Sequence, residues 1–380
     1  MDATTTEKDL WASRFGVADP FALGVEEELL LVDERNQLLD RGPELADATR
    51  TREGEVDGEL FKAMVESQSE IARDAGEAVA TLGAIRRELL DSGARILGAG
   101  VHPSASSGAG AIAQTTRYEA IEDSLAGVLR TPICGQHIHV GMPDAKTAVN
   151  AYNGIRTHIP LLNALAANSP FWFGEDSGLA SSRTVIFRSY PRAAMAPEFA
   201  SFAEFSRVTR EVCTAAGTDD YTQIWWDARI HPRLGTIEIR AADTQFDLRR
   251  AGALVALVQC LTWVEAGRDQ SRIPSREALA ESSFQATRHG LDALLLDRGA
   301  ERVPARELAK RSLEEAGAAA AAGGLRCEEQ LLEVERILTE GNGAAVQRRV
   351  HAERGMDGLL DFLVAQTRDA AAHPVELEAA

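Results

Sequence analysis

The chain has 380 residues, 45% of them hydrophobic and 26% charged, the balance of an ordinary globular protein with room for one large or two ordinary domains. Its formal net charge of −18 argues against nucleic acid or anionic membrane as a partner. The start, Met1 to Lys8, has no apolar run and does not read as a signal peptide, and the most apolar helical window, Ala251 to Ala266, is too short to cross a bilayer. Cys134, Cys213, Cys260 and Cys327 are scattered, with no Cys-x-x-Cys, so they read as free buried thiols of a reducing cytoplasm.

Residues 1–20 form a polar lead-in. Leu-Gly-Val-Glu-Glu-Glu-Leu-Leu-Leu-Val-Asp, residues 23–33, then reads as a strand. Side chains on a strand alternate faces, so Glu26 and Glu28 share one face and Val25, Glu27 and Leu29 the other. Two carboxylates side by side repel unless a cation lies between them, and a hard cation such as Mg2+ takes oxygen ligands. Taken alone, a solvent-facing acidic edge strand is the plainer explanation. A turn follows at Asp33 to Gln37, and Leu38-Leu39 reads as the start of a return strand.

Residues 58–75 are open between helix and strand. A helix places Glu59 and Glu66 on one face two turns apart, and a strand from Met64 to Ala72 pairs Glu66 with Glu70. A solvated acidic face explains either. Val79, Leu82, Ile85 and Leu89 recur at helical spacing and predict a helix from Glu77 to Ser92, ended by Gly93. A strand over Arg95 to Val101 is expected next. The Gly98 to Gly110 loop lacks the Gly-Lys-Ser/Thr ending of a phosphate loop and reads as a flexible loop near a site.

Cys-Gly-Gln-His-Ile-His-Val-Gly, residues 134–141, is the second informative stretch. On a strand, His137 and His139 point the same way and could both meet a metal or a phosphate. Ala145 to Ala167 reads as largely helical. Arg183 and Arg188 lie five apart and cannot share a strand face; either could hold a carboxylate through its planar fork, though a surface role is the plainer one for Arg188. Trp225-Trp226-Asp227-Ala228-Arg229 opens a strand that sends its two tryptophans to opposite faces. In Leu-Gly-Thr-Ile-Glu-Ile-Arg, residues 234–240, Glu238 and Arg240 share a face and could simply pair, or could serve as metal ligand and phosphate clamp. The rest reads as helical, at 251–266, 276–296, 305–315 and 327–340, with low-complexity Ala316 to Gly324 as a frayed end or loop.

Six motifs run in one order: Gly-Val-Glu-Glu-Glu-Leu, Glu59 with Glu66, Gly-Gln-His-Ile-His-Val-Gly, Ala-Asn-Ser-Pro-Phe-Trp, Trp-Trp-Asp-Ala-Arg and Gly-Thr-Ile-Glu-Ile-Arg-Ala-Ala-Asp-Thr. Together they resemble the glutamate–cysteine ligase type 2 family of carboxylate–amine ligases, over residues 21–246 and more weakly through Gly341-Asn-Gly-Ala. The resemblance implies an α+β fold: a curved, mainly antiparallel sheet forming a funnel-shaped active site, backed by helices, like glutamine synthetase and guanido kinase catalytic domains. It implies one catalytic domain over 21–380, with sheet motifs at 21–246 and a helical part at 247–380. It also implies a cytoplasmic ATP-dependent ligase, joining the glutamate γ-carboxylate to the cysteine amine through an acyl phosphate.

Carried over by position, Glu26, Glu28, Glu59, Glu66, His137 and Glu238 resemble the family's Mg2+ or Mn2+ ligands and Arg240 its phosphate-facing arginine. Arg183, His139 and Trp226 are expected to face the substrates. The expected partners are ATP and amino acids, with no nucleic acid or membrane and a homo-oligomer open. A ligase for another carboxylate and amine, or a non-catalytic metal- or nucleotide-binding protein, are the alternatives.

Overall fold

Strand β1 (Leu23–Leu31) lies near the middle of the sheet, with neighbours on both edges. The computed structural model describes residues 13–49, 51–52, 54–128 and 130–372, so most of the polar lead-in (residues 1–12) lies outside the described residues. The further strands are β2 (Glu55–Gly58), β3 (Met64–Gln68), β4 (Ile96–Leu97), β5 (Gly135–Gly141), β6 (Phe171–Trp172), β7 (Glu175–Asp176), β8 (Ala228–His231), β9 (Thr236–Asp243), β10 (Leu294–Leu296) and β11 (Arg302–Pro304). The first helices are α1 (Gly42–Ala48), α2 (Ala75–Asp91), α3 (Thr116–Leu125), α4 (Ala145–Ile155), α5 (Ile159–Ala166) and α6 (Ser182–Arg188). The later ones are α7 (Phe202–Ala216), α8 (Leu248–Gly267), α9 (Arg276–His289), α10 (Ala305–Gly323), α11 (Glu328–Glu340) and α12 (Gly343–Ala372).

Seven strands make one antiparallel sheet in the order β2-β3-β1-β5-β9-β8, with β4 on the end of β1. The fold is α+β, with helices backing the sheet. The period of two decides what lies where. Leu23, Val25, Ile138, Val140, Ile237 and Ile239 join a core with Leu82 of α2 and Leu254, Val255 and Val258 of α8. Each such side chain contributes about 1.5–3 kcal/mol when fully buried. Helix α8 is buried along most of its length because α10 and α11 pack on it as well as α2 and α4. That is why its sequence is apolar all round rather than amphipathic. No helix among the described residues is long and apolar enough to cross a membrane.

Several expectations change in three dimensions. Residues 64–68 form a strand, and Glu70 falls beyond it, exposed. Only Ile96 and Leu97 of the expected 95–101 strand join the sheet; the Gly100 backbone bonds instead to Asn168 and Cys134, and Gly98 and Gly100 pass so close to Gln245 and Asp243 that a side chain there would clash. Leu38 makes a single bridge to Val32 instead of starting a strand. Arg183 and Arg188 lie on helix α6, capped by Ser181, not on a strand. The low-complexity run continues α10 to Gly323, with Ala316, Ala319 and Ala320 buried and Gly324 closing the helix at φ 65°. Residues 294–296 pair with 302–304 as a hairpin instead of extending α9.

Glu27 is the one acid of its triplet on the helix side, and it is fully buried. Arg86 of α2 meets it with two bonds, Nε to Oε2 at 2.9 Å and Nη2 to Oε1 at 2.5 Å. The same guanidinium donates to the carbonyls of Gln245 (2.8 Å), Phe246 (3.1 Å) and Thr367 (3.4 Å). One ion pair thus ties β1, α2, the exit from β9 and α12. Removing one partner of such a pair strands a buried charge, at a cost of roughly 3–5 kcal/mol. Glu27→Ala is therefore expected to lose about that much stability in a guanidinium titration. Unchanged stability would mean that the carbonyls alone satisfy Arg86.

Candidate active site

The other face of β1 opens on a cavity of about 570 Å³. Glu26, Glu28, Glu59, Glu66, His137, His139, Arg183, Arg229, Glu238 and Arg240 all line it. Strand register brings them together: Glu28 faces Glu66, Glu26 faces His137, and His139 faces Glu238. His137 Nδ1 lies 2.9 Å from Glu26 Oε2, and His139 Nε2 lies 3.2 Å from Glu26 Oε1. Glu28 accepts from the Gly135 amide at 2.5 Å and Glu59 from the Leu60 amide at 2.5 Å.

These side chains form three overlapping groups whose ligand atoms lie within 4.8 Å of one another: Glu28–Glu59–Glu66, Glu26–Glu66–His137 and Glu26–His139–Glu238. His137 tests their fit to a cation. Its Nε2 is buried and has no hydrogen-bond partner among the described residues. An imidazole bonded to a carboxylate through Nδ1, with Nε2 free, is the arrangement of a metal-ligating histidine. Donor groups rich in carboxylate oxygen with a single imidazole suit Mg2+ or Mn2+.

The cationic side of the cavity is built by β9 and α6. Between Gln136 and Ile138 the β5–β9 register shifts, so Arg240 and Ala241 together oppose His137. The bulge keeps Arg240 on the cavity and brings Asp243 opposite Gly135. Asp243 then accepts from the Asn168 amide (2.8 Å) and the hydroxyls of Ser169 (2.7 Å) and Ser181 (2.8 Å), fixing the start of α6. From there Arg183 lays its guanidinium over Gly135, where a Cβ would come within 2.1 Å of it. Arg183 is 2% exposed and its Nε has no partner among the described residues.

Trp226 corrects one expectation. It packs in the apolar core against Phe199, and the neighbouring Trp225 takes the cavity wall. Arg188 lies off this cavity and pairs with Asp227. Sequence reading assigned no role to Arg229, Asp243 or Tyr190. Arg229 was within reach, since it ends the Trp-Trp-Asp-Ala-Arg motif, but only the β8–β9 register places it opposite Glu238.

A family model described as glutamate–cysteine ligase family 2 matches residues 22–366. This chain belongs to that family. It is 38% identical over 373 residues to a Rubrobacter xylanophilus protein provisionally named glutamate–cysteine ligase 2-1, covering 93% of this chain and 96% of the relative. It is 36% identical over 371 residues to the glutamate–cysteine ligase of Haloferax volcanii, covering 92% and 98%. Its fold is similar to a crystal structure of the Francisella tularensis glutamate–cysteine ligase in complex with AMP, with TM-score 0.68, 12% identity and coverage of 95% and 94%.

Within this family fold the acids divide by environment. Burial pushes Glu66 well above the usual carboxylate range, and Glu26, Glu59 and Glu28 add to it. Burial, then Glu59, raises Glu28 to about 7. Burial also raises Glu59. At the other end, burial of Glu26 is outweighed by His139 and His137, and burial of Glu238 by Arg229 and Arg240, so both acids sit below their ordinary range. Burial, with Arg240 nearby, lowers His137 to about 4, leaving it neutral.

A stability profile follows. Below pH 4.5, its ordinary value, Glu28 is protonated in both folded and unfolded chains. Between about 4.5 and 7 the unfolded chain has released a proton that the folded one keeps, so stability falls as pH rises, then levels off. The total is roughly 3 kcal/mol at about 1.4 kcal/mol per unit. Glu59 and Glu66 act with the same sign, whereas Glu26 and Glu238 act below pH 4.5 with the opposite one. In metal-free protein, Glu28→Gln should flatten the profile over that window. Parallel wild-type and variant denaturation curves would contradict the assignment.

Proposed function

We propose that this protein is an ATP-dependent carboxylate–amine ligase that joins the γ-carboxylate of glutamate to the amine of cysteine. The observation that carries this reading is one sheet face presenting a carboxylate–imidazole cation site beside Arg240, whose buried Nε has no acceptor among the described residues. The family membership and the names of the relatives support the same chemistry.

In this reading a carboxylate oxygen of glutamate forms a bond to the γ-phosphorus of ATP, the bond to the bridging oxygen breaks, and ADP leaves. The cysteine nitrogen then bonds to the acyl carbon, phosphate departs with the carbon–oxygen electron pair, and the nitrogen gives up its proton. Glu26, Glu28, Glu59, Glu66, His137 and Glu238 would hold Mg2+ or Mn2+, which supplies countercharge to the triphosphate. Arg240 stabilises the charge that develops on the transferring phosphoryl group. Arg183, buried with an unused Nε, and Tyr190, whose buried hydroxyl has no partner among the described residues, suit a substrate carboxylate.

A second reading has its own support. Phe61, Met64, Ile133, Phe187 and Trp225 line the same cavity and offer apolar surface to a bulkier amine than cysteine. Incubation with ATP, Mg2+ and a panel of amino acids and amines, followed by mass spectrometry, separates the two. γ-Glutamylcysteine with ADP is the expected outcome; another amide favours the second reading, and no nucleotide-dependent product sinks both.

Arg240 gives the mechanistic check. The ion pair to Glu238 is largely buried, so a purely structural role would show as lost stability, roughly 3–5 kcal/mol, with turnover of the folded protein little changed. A group acting on the transition state costs on the order of 10²-fold or more in turnover. Arg240→Ala should lose at least that in glutamate-dependent ADP release while still binding Mg2+-ATP by calorimetry. Arg240→Lys should recover only part, because it lacks the planar fork. Near-normal ADP release in Arg240→Ala would return Arg240 to a structural role.

A further inference from the structure

Glu238 is gripped by two arginines that are themselves held very differently. Arg229 spends all three of its nitrogens on the protein. Nε (2.8 Å) and Nη2 (2.5 Å) meet Glu238 Oε2, and Nη1 donates to the carbonyls of Thr222 (2.7 Å) and Ile224 (3.3 Å). Arg240 reaches Glu238 Oε1 through Nη1, and its buried Nε donates to nothing among the described residues. Both oxygens of Glu238 are therefore occupied, although Glu238 with Glu26 and His139 forms one of the groups able to hold a cation. A cation could join that group only by sharing Oε1 with the Arg240 guanidinium, two positive charges on one oxygen, or after Arg240 lets go. Leaving a buried donor unmade costs roughly 1–3 kcal/mol, so Arg240 is poised for an acceptor that the protein itself does not provide.

We propose that Arg229 is a fixed positioning residue for Glu238 and that Arg240 is exchangeable, leaving Oε1 for a phosphate oxygen when nucleotide and divalent cation enter together. Oε1 then becomes available to the cation, while Arg229 keeps Oε2 and prevents the carboxylate from rotating. This rests on the ATP- and metal-dependent reading above. Its particular content is that Arg240 and a cation compete for one oxygen, so that nucleotide-free protein binds the cation weakly at this group.

Calorimetric titration of Mn2+, with and without a non-hydrolysable ATP analogue, tests the exchange in the wild type, Arg240→Ala, Glu238→Gln and the double variant. Arg240→Ala should tighten nucleotide-free Mn2+ binding on the order of tenfold, and the gain should vanish in the Glu238→Gln background. An equal gain in both backgrounds would be plain loss of charge repulsion and would overturn the exchange, as would no gain. Arg240→Gln serves the same test if Arg240→Ala does not fold. Arg229→Lys keeps the charge but not the fork, and should weaken Mn2+ binding in the presence of the analogue; wild-type affinity there would reduce Arg229 to a countercharge. Wild-type protein that binds no Mn2+ even with the analogue would refute the metal-dependent reading itself, and the exchange with it.

Discussion

Like charges held close together in a recessed cavity are the constraint that the rest of this structure answers. Two carboxylates about 5 Å apart repel by roughly 3 kcal/mol at an effective dielectric near 20. Glu28, Glu59 and Glu66 face that repulsion with burial added, and their raised proton affinity is the response. A loop could relax away from such a cluster. Glu28 and Glu66, on paired strands, cannot, because their side chains are aimed by the backbone, and the backbone here is anchored from behind; Glu59, just past the end of β2, is held by the Leu60 amide. The anchor is Glu27, between the two cavity acids in sequence but on the opposite face, locked to Arg86 and through it to three carbonyls. The strand that suffers the repulsion also carries the ion pair that resists it.

The cationic side depends on backbone irregularity. Without the bulge opposite His137, the alternation along β9 would turn Asp243 away from Gly135. With it, Asp243 collects Asn168, Ser169 and Ser181 and so sets the position of α6 and Arg183. Gly135 completes the arrangement by leaving out the Cβ that Arg183 would strike. The helical C-terminal part is tied to the same junction: Gln347 donates to Asn168, and Gly343 packs where a side chain would collide with it.

How much of this was legible in the sequence follows from the range of each interaction. The alternation in β1, β5 and β9 is local, so Glu26 with Glu28, His137 with His139 and Glu238 with Arg240 could be put on common faces from spacing alone. The α2 helix was equally readable from its local apolar spacing, although the Asp74 cap starts it at Ala75, two residues before the expected Glu77. Register between strands is not local. Nothing in Trp-Trp-Asp-Ala-Arg says that Arg229 will stand opposite Glu238, and strand alternation alone could not choose which tryptophan would face the cavity. Helix α6 was read with strand rules because seven residues are too few to show a helical period. The alanine run of α10 carried no apolar pattern, although alanine is the strongest helix former, and contact with α8 and α11 buries one side of it.

The finished site is graded in charge along the sheet. At β1, β2 and β3 the acids outnumber the cations near them, and protons take up part of the imbalance. At β8 and β9 the reverse holds, with Arg229 and Arg240 on the single carboxylate of Glu238 and His139 beside it. A cation alone gains at the first end but meets guanidinium groups at the second. A polyanion alone gains at the second end but meets carboxylates at the first. A polyanion carrying its own divalent cations gains at both, because each charge meets its opposite. On the proposed function, the same gradient would therefore favour the metal–nucleotide complex over either component, through residues most of which are aimed by strand geometry.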